Sequence, residues 1–149
     1  MSLVVYLSGE IHTDWRKIII DRCKRMGLDI DFKYPVLNHE LSDDCGVKLL
    51  GPEESKFWHD HKGAKLNALR THTAIKNSDV VVVRFGEQYK QWNAAFDAGF
   101  AVASDIPLIV LHGDDHQHAL KEVDSSALVV TDDPKKVASA LNYVITGRL

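Results

Sequence analysis

Residues 79–85, DVVVVRF, decide the fold. Four consecutive valines, Val80 to Val83, leave no polar face, and their β-branched side chains favour extended backbone. A strand apolar on both faces belongs inside a parallel sheet that helices cover above and below. Working outward, LVVYLS (3–8) and PLIVLH (107–112) repeat the pattern. DIDFKYP (29–35) and ALVVT (127–131) are weaker versions of it.

Between these runs the period changes. In DWRKIIIDRCKRMG (14–27), Trp15, Ile18, Ile19, Cys23 and Met26 share one helical face, with Thr13 as the expected N-cap and Gly27 as the terminator. Further helices are expected over 61–77, 92–104 and from Pro134 to about Thr146. The stretch 36–60, rich in Asp, Glu, Gly and Pro, reads as one long irregular connection. Strand and helix alternate throughout. The expectation is an α/β fold: a three-layer, doubly wound, flavodoxin/Rossmann-like five-stranded parallel sheet, forming a single domain over 1–149.

Composition narrows the function. At 149 residues, 45% hydrophobic and 26% charged, the chain has enough apolar material for a sizeable core. A net charge of −3 without any basic block argues against a nucleic-acid polymer or an anionic membrane as partner, and favours a small molecule. Cys23 and Cys45 form neither a CxxC pair nor a disulfide framework, which points to a reducing cytoplasm. The apolar start is too short for a signal or membrane segment.

In open parallel sheets, ligands gather beyond the carboxyl ends of the strands. Three polar segments fall there: GEIHTD (9–14), RFGEQYKQWN (84–93) and HGDDHQH (112–118). Neither GxGxxG nor GxxxxGK[ST] occurs, so nicotinamide-dinucleotide and P-loop chemistry are not expected. The donors His112, Asp114, Asp115, His116 and His118 suit zinc or manganese, but a solvated loop opening a short helix explains them as well, and no metal or cofactor is expected. Asp97 is different. It is the one carboxylate in an apolar helical run, among Ala94, Ala95, Phe96, Ala98 and Phe100, and it must be solvated by a cleft, paired with a cation such as Lys90 or Arg84, or raised in pKa.

The segments VYLSGEI (5–11), NSDVVVV (77–83) and FDAGFAVASDIPLIVL (96–111) together resemble the nucleoside 2-deoxyribosyltransferase-like superfamily, in particular its YtoQ-type branch. The resemblance spans nearly the whole chain. It implies retaining N-glycosidic chemistry on a nucleoside or nucleotide, in which a carboxylate attacks the anomeric carbon and a glycosyl-enzyme forms. Asp97 falls on the nucleophile of that family, where the transferases carry glutamate. Tyr6 matches the tyrosine that orients the nucleophile, and Ser8, Gly9 and Glu10 match the loop beside the sugar.

Thr71 and Gln91 stand where the transferases place two further acidic residues, so Glu10 or Glu87 is a candidate general acid or hydroxyl ligand provided burial raises its pKa; a surface carboxylate is the alternative for each. Trp92 is either a base-stacking lid or the apolar first turn of its helix, with Asn93 beside it. Tyr6, Glu10, Glu87 and Asp97 are expected to converge on one cleft. Relatives complete their sites from a neighbouring subunit, which together with the apolar helices implies a homodimer or higher homo-oligomer. The alternative is a nucleotide-binding or sensing module that kept the fold without turnover.

Overall fold

A computed structural model describes residues 1–149. The strands β1 (Leu3–Gly9), β2 (Ile30–Lys33), β3 (Val80–Phe85), β4 (Leu108–His112) and β5 (Val129–Thr131) form one sheet, all parallel, in the order β2-β1-β3-β4-β5. The expected doubly wound architecture is present. Strand order reverses between β1 and β3, and there the crossovers depart to opposite faces and open a crevice.

The valine run behaves as its sequence demands. Val80 and Val82 pack with Val5, Leu7, Ile109 and Leu111 beneath α1 (Trp15–Arg25) and, further along the chain, α6 (Pro134–Thr146). Val81 and Val83 face the other way, packing with Tyr6, Leu108 and Val110 beneath α3 (Lys56–Lys76) and α4 (Trp92–Ala103). The pleat therefore divides one run of valines between two cores, and all four are almost fully buried.

The stretch 36–60 is not an irregular connection. It holds α2 (His39–Leu50), capped by the Asn38 side chain, which accepts from the Leu41 N–H, and the first turn of α3, capped by Ser55, which accepts from the Trp58 N–H. Weak amphipathicity hid these helices, because they pack on each other through backbone rather than through a broad apolar face. A Cβ on Gly46 would meet the Gly63 nitrogen at 2.6 Å, and one on Gly63 would meet the Asp43 carbonyl at 2.8 Å. Asn67 ties the pair by donating to the Ser42 carbonyl at 3.0 Å.

Two local expectations are also corrected. Asp14, not Thr13, occupies the N-cap position of α1 and makes no side-chain cap, while the Thr13 hydroxyl donates to Glu10 instead of capping the helix. Met26 lies beyond the helix and is over a third exposed. In 113–126 the chain forms a short 3-10 turn (Asp114–His116) and a one-turn helix, α5 (Lys121–Ser125). No group of three or more His, Cys, Asp or Glu side chains is placed to hold a metal ion. Both cysteines are free, and no helix is long and apolar enough to cross a membrane.

Candidate active site

The crevice at the β1/β3 switch point is a cleft of about 950 Å³. One wall is the carboxyl end of β1 and the loop after it, a second is the start of α4, and the third is the hairpin of α2 and α3.

Asp97 is placed by the small residues around it. Ala94, Ala98 and Ala101 form the buried stripe of α4, letting the helix lie close to the sheet, and Asp97 shares that side one turn from the helix start. A side chain one methylene shorter than glutamate therefore still reaches β1, where the Ser8 hydroxyl donates to Asp97 Oδ2 at 2.5 Å. No cation pairs with Asp97, so neither Lys90 nor Arg84 is its partner. Burial raises its pKa, opposed by the Ser8 hydrogen bond and by the charge of His72. The His72 ring stacks on Phe100 at 4.4 Å and lies 5.6 Å from that of Phe96.

Tyr6 and Ser8 are two residues apart on one strand and so share a face. The Tyr6 hydroxyl donates not to Asp97 but to Thr71 Oγ1, a long contact at 3.4 Å. Burial raises the tyrosine pKa, the Thr71 bond opposes this, and the Asp97 charge adds to it. The hydroxyl that fixes the carboxylate is therefore that of Ser8, which the sequence placed only beside the sugar.

Glu10 is enclosed by donors. Its Oε2 accepts from the backbone N–H groups of His12 at 2.7 Å and Thr13 at 3.1 Å, while Oε1 accepts from the Thr13 hydroxyl and from Arg84 Nε at 3.2 Å. Burial opposes ionisation, but these donors outweigh it and hold the carboxyl below its ordinary range. A carboxylate held that way is a poor proton donor near neutral pH. Glu87 is mostly exposed, its Oε2 lies 3.6 Å from Arg84, and it stands outside the cleft lining. Tyr6, Ser8, Gly9, Glu10, Trp92, Asn93 and Asp97 all border the cleft, so of the expected set only Glu87 is left out.

The floor under this loop is built by residues whose part was not visible in the sequence. The buried Arg16 guanidinium donates to the carbonyls of Leu7 at 3.0 Å, Glu10 at 2.6 Å and Gly9 at 3.1 Å, and Trp15 Nε1 donates to the Glu10 carbonyl at 2.9 Å. Burial lowers the Arg16 pKa to about 10, which leaves it charged at neutral pH. The one signal was a charged residue next to Trp15 on a helix that turns an apolar face to the sheet. Gly9 has φ +111°, and a Cβ there would lie 2.1 Å from the Arg84 carbonyl oxygen, so only glycine fits where β1 ends beside β3.

The model of the family described as nucleoside 2-deoxyribosyltransferase YtoQ matches residues 6–145. The YtoQ protein of Bacillus subtilis (strain 168) is 37% identical over 144 residues, which cover 97% of each chain. Among solved structures, a 2-deoxyribosyltransferase from Bacillus psychrosaccharolyticus superposes with a TM-score of 0.53 at 12% identity, covering 91% of this chain and 90% of that one. A conserved protein from Enterococcus faecalis V583 superposes at 0.56 and 14% identity over the full length of both chains. At such identities these two structures speak for the fold, whereas the family model and the Bacillus subtilis relative cover nearly the whole sequence. The chain belongs to the nucleoside 2-deoxyribosyltransferase YtoQ family.

Proposed function

We propose that this protein cleaves or transfers the N-glycosidic bond of a nucleoside or nucleotide, with Asp97 as the nucleophile. The observation that carries this reading is the state of the Asp97 carboxylate. It borders the cleft at the switch point, forms no ion pair, and is held through one oxygen by Ser8, leaving the other without a protein donor. A structural carboxylate in such surroundings would be paired.

In the proposed step the free oxygen of Asp97 attacks the anomeric carbon. The bond to the base nitrogen breaks and its electron pair leaves with the base, which takes up a proton from solvent water in the open cleft. The glycosyl ester is then opened by water in hydrolysis or by a second base in transfer. The negative carboxylate stabilises the developing oxocarbenium charge, and Ser8 supplies orientation. Tyr6 lies close enough for its titration to feel Asp97 and borders the same cleft, where it positions the sugar. Ser8, Gly9, Trp92 and Asn93 complete the substrate contacts in this reading. Glu10 fills the cluster of backbone N–H groups after β1 that would otherwise receive a phosphate, which favours an uncharged nucleoside over its 5′-phosphate.

The test is base release from mixed nucleosides and nucleotides, followed with wild type and Asp97→Asn. The variant should lose several orders of magnitude in rate with ligand affinity nearly kept. A slow 2-fluoro sugar analogue should leave an adduct on Asp97 detectable by mass spectrometry. Full activity in Asp97→Asn, or an adduct on another residue, overturns the assignment.

A further inference from the structure

Tyr89 has a backbone its side chain does not favour. Its φ is +63°, and it shares the left-handed region with only one other non-glycine residue, Asp105, a residue type that tolerates it. Tyr89 has no such tolerance. Nor does packing compensate, because the side chain is 72% exposed.

The loop between β3 and α4 imposes the conformation. The Gln91 side chain braces it from inside, accepting from the Gly86 N–H at 2.8 Å and donating to the Gln88 carbonyl at 2.8 Å. Gly86 is pressed against Glu10, whose Cγ would lie 2.8 Å from a Cβ. The turn is thus pinned at its start and its end, and Tyr89 at its tip takes up the strain. Strain that persists where the surroundings over-determine it tends to mark a working part of a site.

The ring is held at the cleft. Tyr89 borders it together with His12, Trp92 and Asp97, and His12 backs the ring at 4.9 Å between centroids with the planes tilted by 47°. One side of the ring is supported, and the rest is open to solvent at the mouth of a cleft whose floor carries the carboxylate. Resting on the N-glycosidic reading above, we infer that Tyr89 is the stacking platform for the nucleobase: the strained turn presents the ring, and His12 keeps it upright. The platform is a binding element for the planar heterocycle and takes no part in bond breaking. Its preference follows ring area and is tolerant of base identity.

The test uses substitutions that separate ring from backbone. Tyr89→Gly and Tyr89→Asn both accept the left-handed backbone while removing the ring, and Tyr89→Phe keeps the ring and removes the hydroxyl. Losing one base–aromatic stack should raise KM for 2′-deoxyadenosine and 2′-deoxycytidine roughly tenfold or more, with kcat much less affected. Phenylalanine should behave as wild type. Melting temperatures of the glycine and asparagine variants should be unchanged or higher, which loss of a structural tyrosine would not produce.

Calorimetric titration of the same nucleosides into Asp97→Asn, with and without Tyr89→Gly, reads binding without turnover. A weakened titration in the double variant supports the platform even if no base is ever released, an outcome that would remove the catalytic reading alone. Unchanged KM and unchanged titration in Tyr89→Gly overturn the platform while leaving Asp97 untouched. An equal rise in KM for Tyr89→Phe overturns it in favour of the hydroxyl, and no binding of either nucleoside by any form overturns both readings.

Discussion

Removing the Ser8 hydroxyl tests the central contact of the site. Ser8 is 1% exposed and is the donor to an Asp97 carboxylate that has no cationic partner, so Ser8→Ala strands a charge that water reaches poorly. A hydrogen bond to a charged group contributes about 1.5–3 kcal/mol. At roughly 2–4 °C per kcal/mol for a domain of this size, the melting temperature at pH 7 should fall by roughly 3–12 °C. The same substitution made in Asp97→Asn removes only a neutral bond, of about 0.5–1.5 kcal/mol. A thermal-denaturation cycle of wild type, the two single variants and the double variant should therefore show a coupling of about 1 kcal/mol or more. The loss should also shrink as pH falls and Asp97 takes up a proton. Because the Ser8 bond holds the Asp97 pKa down against burial, its removal should move the acid limb of kcat/KM to higher pH. Additivity within about 0.5 kcal/mol, which is what independent sites give, would refute the reasoning.

Further outcomes follow from the same physics. The Asp97 pKa is raised in the folded state, so the native protein binds that proton more tightly than the unfolded chain, and stability falls as pH rises from the unfolded to the folded value. Asp97→Asn should therefore melt higher than wild type at neutral pH and converge with it in acid; a lower melting temperature at pH 7 would contradict this. His112 offers a test of the opposite sign, with the variant the less stable form: Nδ1 lies 2.7 Å from the Gly113 carbonyl oxygen and Nε2 2.8 Å from Asp124 Oδ2, so only the imidazolium satisfies both. Burial disfavours that charge, but the two acceptors outweigh it and raise the pKa. This stabilisation is complete below the unfolded value near 6.5 and is lost as pH rises through the higher folded one, so the melting advantage of wild type over Asp124→Asn should narrow as pH rises above about 6.5. Finally, α4 exposes Trp92 at 75%, Phe96 at 61% and Val102 at 37% with no charge among them, and Gly99 has nothing within 4 Å of a Cβ. A symmetric dimer packed on this face is the expected assembly; light scattering that shows only monomer at micromolar concentration would exclude it, and Val102→Lys should dissociate it.

The sheet was legible because strand and crossover signals are local. A run such as Val80–Val83 carries its burial in its own composition, and the spacing of Trp15, Ile19 and Cys23 carries the face of α1. The carboxyl edge of the sheet followed from the alternation, and with it the placing of Glu10 and Asp97 at the cleft; Tyr6 and Ser8 came from the family resemblance, and Glu87, expected there too, stands outside the lining. The hairpin of α2 and α3 was not legible, because Gly46 and Gly63 announce a close helix crossing only when each is known to face the other, 17 residues apart by their numbers. The partners of the polar groups were hidden for the same reason. Nothing local to Ser8 names Asp97 as its acceptor, and nothing local to Glu10 shows that its carboxylate turns back onto the N–H groups of His12 and Thr13 and onto Arg84. Periodicity records which way a side chain faces. Which donor meets which acceptor, and therefore which carboxylate is left free to react, depends on chain segments brought together by the fold, and only the tertiary structure decided it.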